Sequence, residues 1–162
     1  MTMRIEMWAD VTCPWCGIGA HRLQQALDRF EHRDHVEVVH RSFVLDPSLE
    51  AGAELISTRE LLRHKYGLSD EQADAATSNV QDIARGDGLQ PYVVSDNVVG
   101  STQLAHEFLA WATTKGKHAD AWHRISRRYF GEAKSIFDIG SLADVATELG
   151  LDATDAREAL ES

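Results

Sequence analysis

The stretch Arg4-Ile5-Glu6-Met7-Trp8-Ala9-Asp10-Val11-Thr12-Cys13-Pro14-Trp15-Cys16 decides how this chain is read. Its first half sets Ile5 and Met7 against Glu6 and Trp8, the alternation of a strand. Its second half holds the only two cysteines, with Pro14 suited to a first helical turn because its missing N–H has no partner there anyway. Cys16, Gly19, Leu23, Ala26, Leu27 and Phe30 then recur at three- and four-residue spacing, one face of a helix. Residues 36–45 are rich in Val, Phe and Leu and read as a strand buried on both faces, stopped by Asp46-Pro47. Strand, helix and strand within so short a span make a βαβ unit.

The cysteine pair therefore lies at a strand-to-helix junction. A thiol at a helix start meets unpaired backbone N–H groups and the positive end of the helix dipole, both of which favour the thiolate. Helix-start cysteines of this kind have pKa values of ~3.5–7.5. The expectation is a dithiol–disulfide centre in which Cys13 is the attacking, partly exposed sulfur and Cys16 the buried resolving one. Asp10 is a candidate to accept or relay a thiol proton, and Trp15 a candidate groove contact beside Pro14. A zinc site would need two more ligands. His35 and His40 have an admissible spacing, but the best helix of the chain intervenes between them and Cys16, and no metal or organic cofactor is expected.

The chain has 162 residues, 16 Lys plus Arg, 26 Asp plus Glu and a formal charge of −10. An acidic balance of this size argues against nucleic-acid or anionic-membrane partners. No apolar segment has signal-peptide or membrane-span length, so a cytoplasmic location is expected. In a reducing cytosol a two-cysteine staple is rare, and a four-residue loop would stabilise little. Reactivity explains the pair better than stability does.

After Pro47 the pattern turns helical. Ser57-x-x-Glu60 and Ser69-x-x-Gln72 have the form of capping boxes, followed by helices ending near Gly67 and Gly86. Residues 92–99 read as an irregular crossing. Further helices are marked by Leu104 to Ala112, by Trp122 to Phe130, by 141–149 and by 154–160. Trp8, Trp111 and Trp122 are expected in the core, Arg41 in an ion pair and His21 at the surface, while His106 and Glu107 need no chemical role. The division expected is residues 1–50 as a βαβ unit carrying the cysteine pair and 51–162 as a helical domain.

These pieces resemble the DsbA-like thiol oxidoreductases, and within them the FrnE-like branch. The resemblance rests on residues 8–19 and on Arg41-Ser42-Phe43-Val44-Leu45-Asp46-Pro47. Lys65-Tyr66-Gly67-Leu68-Ser69, Ala105-His106, Tyr129-Phe130 and residues 142–152 add to it. It implies an α/β thioredoxin-like fold with a helical insertion after the first βαβ unit, Cys13 as nucleophile and Cys16 as resolving thiol. Partners would be thiol- or disulfide-bearing proteins or small molecules. Such a core needs two more strands and a closing helix, roughly 40–50 residues, with a cis-proline loop that Pro14, Pro47 and Pro91 are not placed to supply. The native protein is thus expected to be longer, or a partner chain, as in a homodimer, to complete the sheet. Ser101 and Ala133 stand where the family tends to have Asn and Gly. The rival readings are a glutathione-dependent kappa-type transferase or 2-hydroxychromene-2-carboxylate isomerase relative, and a zinc-stapled binding module.

Overall fold

The computed structural model describes residues 2–162. Strand β1 (Met3–Ala9) leads into helix α1 (Pro14–Asp28), and a 3-10 turn at Arg33–His35 into strand β2 (Val36–Ser42). The strands pair in parallel with Met3 opposite Val36 and Ala9 opposite Ser42. A helix connecting two adjacent parallel strands is the βαβ unit expected.

Strand β2 stops at Ser42, three residues short of the expected end. Phe43 still donates its N–H to Ala9 O at 3.0 Å, but the Leu45 N–H turns away to the Asp10 carboxylate at 2.7 Å. Both-face burial is not found either, since Arg41, Ser42 and Phe43 are exposed. Trp8, on the same sheet face as Glu6, is 59% exposed rather than core. Arg41 does pair with Glu6, at 2.6 Å, but in solvent. On α1 it is Ile18 that is buried, while Gly19, Ala26 and Phe30 are exposed.

The remainder follows the pattern more closely. Helix α2 (Thr58–Tyr66) and helix α3 (Asp70–Gly86) both open with complete capping boxes, Ser57 with Glu60 and Ser69 with Gln72. Gly67 ends α2 in the left-handed conformation, φ 66°. A two-residue antiparallel ladder of strands β3 (Ile56–Ser57) and β4 (Val98–Val99) closes the crossing before α4 (Gln103–Thr114). Helix α5 (His118–Ser126) widens into a π turn at Arg127–Gly131, and α6 (Ile139–Glu148) and α7 (Ala153–Glu161) follow. The core lies among these helices, with Phe108, Leu109, Ile125, Leu142 and Val145 almost wholly buried.

Candidate active site

Cys13 caps the start of α1. Its sulfur accepts the Cys16 N–H at 3.4 Å, and the Trp15 N–H also faces it. Both sulfurs are half-buried thiols, so the expected contrast between an open Cys13 and a buried Cys16 is absent. A hydrogen bond from the Cys13 thiol pulls Cys16 down to about 6 against the opposing effect of burial. The same bond, with burial, holds Cys13 well above the ordinary thiol value. Two sulfurs thus share one proton, the first ionisation being easy and the second hard. The lowered value thus belongs to the pair, with the Cys13 thiol as donor and Cys16 as acceptor.

Pro14 and Trp15 fill the turn, Trp15 with its ring 52% exposed. The cysteines open onto a cavity of about 800 Å³. Its floor is the sheet face carrying Met7, Ala9, Val38 and His40, with Leu23 and Leu27 of α1 and Trp122 of α5 on its walls. Pro91, which follows a cis peptide bond, lines it as well. A smaller hollow of about 230 Å³ beside Leu55 and Phe137 lies away from the sulfurs.

Asp10 follows β1 and is buried beneath this turn. Burial alone would raise its pKa, yet hydrogen bonds from His106 and the Leu45 N–H outweigh that and keep it below the usual carboxylate range. One carboxylate oxygen takes the Val11 N–H at 2.8 Å and lies 3.0 Å from His106 Nε2. His106 Nδ1 in turn meets Ser42 Oγ at 2.9 Å. The negative charge of Asp10 works against ionising Cys16, while its backbone N–H helps. Sequence reasoning gave His106 no role. The available signal was a histidine on the apolar face of α4 between Ala105 and Leu109, a position that obliges a buried ring to find partners.

A second contact from far along the chain reaches the turn. Tyr92 Oη donates to Pro14 O at 2.6 Å, and its ring stacks on Phe130 with centroids 4.6 Å apart. Room for that hydroxyl exists because residue 17 is glycine: a Cβ there would lie 2.3 Å from the Tyr92 oxygen. His21, expected at the surface, is half-buried and bonds Asp87 O at 3.0 Å. Among the described residues no group of three His, Cys, Asp or Glu is placed to hold a metal ion.

The family model of the DSBA-like thioredoxin domain matches residues 4–162. This chain belongs to that family. A crystal structure of a probable DsbA oxidoreductase from Streptomyces coelicolor is 40% identical, with TM-score 0.91, over 99% of this chain and 68% of that one. The uncharacterized protein YwbO of Bacillus subtilis is 27% identical across 100% of this chain and 74% of its own length. The cytosolic disulfide reductase DsbM from Pseudomonas aeruginosa shares the fold, with TM-score 0.60 at 20% identity over 98% and 69% of the two chains. In this DsbA-like chain the dithiol sits at the helix start, and two side chains of the helical region, Tyr92 and His106, hold the turn and the acid beneath it.

Proposed function

We propose that the protein is a thiol–disulfide oxidoreductase whose redox centre is Cys13-Pro14-Trp15-Cys16. The observation that carries this reading is the pair of half-buried thiols at the start of α1, both at the mouth of a large cavity. In the reducing direction the shared proton passes from Cys13 to Cys16, and the Cys13 thiolate attacks a substrate disulfide. A mixed disulfide forms, and one substrate sulfur leaves as a thiolate that takes up a proton. Cys16, losing its proton, then attacks Cys13, closing the enzyme disulfide and releasing the second substrate sulfur. The oxidising direction is the reverse. Reduction potential decides which runs, about 30 mV corresponding to ~1.4 kcal/mol for this two-electron couple.

Cys13 is taken as the attacking sulfur because it caps the helix start and accepts the Cys16 N–H there, while at Cys16 the Asp10 N–H favours an anion and the Asp10 charge opposes it. Asp10 supports the turn from below, and exposed Trp15 offers a surface for a polypeptide or small thiol. A DsbM structure was obtained with GSH, which makes glutathione a reasonable first substrate to try. Residues 1–50 act in this reading as the βαβ unit and 51–162 as the helical insertion, within a cytoplasmic FrnE-like branch. No helix among the described residues is long and apolar enough to cross a membrane.

Insulin reduction and redox equilibration with glutathione test the proposal. Cys13→Ser is expected to abolish both, and Cys16→Ala to trap a mixed disulfide on Cys13. Unchanged insulin reduction by Cys13→Ser would remove the assignment. Robust glutathione-dependent isomerase turnover that survives Cys16→Ala would favour the isomerase relative instead.

A further inference from the structure

We propose that Tyr92 is a positioning residue for the Cys13 sulfur, acting through the Pro14–Trp15 peptide group that the two side chains hold from opposite ends. The inference rests on the dithiol reading and names a determinant of its reactivity. Pro14 C=O and Trp15 N–H belong to one planar unit. Tyr92 donates to the oxygen end at 2.6 Å, and the N–H end faces the Cys13 sulfur. Fixing one end of a rigid plane fixes the other. A donor on the carbonyl also polarises the amide, so that its N–H, which faces the sulfur, is the more positive.

The latch is built on two residues of the core. The Tyr92 ring is clamped against Phe130, and the Val93 N–H is tied to Phe130 O at 2.7 Å. The hydroxyl reaches Pro14 only through the gap left at Gly17. Burial, and then charge on either sulfur, raises the pKa of the phenol. The hydroxyl therefore stays protonated and remains a donor when the thiolate forms. Tyr92 thus ties the helical region to the peptide between the two cysteines, in the same helical turn as the Cys16 N–H that donates to the attacking sulfur.

The test compares Tyr92→Phe with Tyr129→Phe, a control that removes another buried hydroxyl bonded to a backbone oxygen, Val98 O at 2.8 Å. Alkylation of the reduced protein with iodoacetamide is followed against pH, alongside dithiol equilibration with glutathione. Tyr92→Phe is expected to slow alkylation about threefold at pH 6 by weakening a charge-assisted bond. The dithiol equilibrium should shift toward the disulfide by a similar factor, about 15 mV. Tyr129→Phe should lower the melting temperature and leave both profiles in place.

Gly17→Ala should be destabilising in the wild-type background and markedly less so in the Tyr92→Phe background, where the oxygen it strikes is gone. If Tyr92→Phe lowers only the melting temperature, or if the Gly17 and Tyr92 effects simply add, the latch is wrong. Wild-type protein that responds to Tyr92→Phe in alkylation but never reduces insulin would keep the latch and overturn the activity.

Discussion

The βαβ unit and the helical region are packed in different ways. In residues 2–50 the buried side chains are Ala9, Asp10, Val11 and Ile18, all beside the cysteine turn. From α3 to α7 burial is continuous, running through Ala84, Phe108, Ile125, Leu142 and Ala156. The first region is ordered around its chemistry, and the second supplies the mass that holds it. Two of the contacts under the turn, from Tyr92 and His106, span 78 and 96 residues of sequence. Stability is lodged mainly in the helical core, whereas reactivity is built in the turn and held by two side chains of the helical region, so substitutions should separate them.

The largest loss of stability should come from the helical core. Phe108→Ala empties a site of zero exposure and is expected to cost ~3–5 kcal/mol in denaturant unfolding. A cost below that of Trp8→Ala would break the comparison. His106→Ala comes next, at ~3 kcal/mol, because it leaves the buried Asp10 charge without its imidazole partner. The Asp10 carboxyl should then rise, so stability present at neutral pH would be lost at a higher pH on acidification than in wild type. Acid titration of the two proteins checks this.

A smaller, pH-dependent effect is expected where β2 meets α5. His40 stacks on Trp122 with centroids 5.1 Å apart, and its backbone N–H donates to His118 Nε2 at 3.1 Å. Burial, then the neighbouring His118, pushes His40 below its ordinary value of 6.5. A base lowered in the fold contributes stability that is complete above pH 6.5 and is lost as pH falls through the folded value. His40→Phe keeps a ring against Trp122 and should flatten the melting-temperature profile between pH 6.5 and that folded value. An unchanged slope would exclude His40 as its source.

Two surface or loop changes should be smaller again. Ala133 holds φ 49°, a left-handed conformation that a Cβ disfavours, so Ala133→Gly should stabilise by under ~1 kcal/mol. Trp8→Ala, on the open sheet face, should change stability by less than ~0.5 kcal/mol.

Much of this was legible in the residues. The βαβ order followed from alternation and from Pro14 at a helix start, and the Ser57 and Ser69 boxes marked two helix beginnings. Ladder β3–β4 was hidden because two residues show no period. The end of β2 depended on Asp10 capturing the Leu45 N–H, a choice made by a side chain 35 residues away. Trp8 was misplaced by its size, although its parity with Glu6 already put it on the other face from Met7. The cysteine turn could be read locally. Its supports could not, because Tyr92 and His106 reach it only once the helices have packed.

Alkylation of the reduced protein against pH, resolved for each cysteine by mass, tests the central claim most directly. A proton-sharing pair predicts a first ionisation with apparent pKa about 6, and Cys13→Ser should return the remaining thiol toward the ordinary value. Two independent thiols in the wild-type protein, each titrating near ~8.5 as free cysteine does, would contradict it.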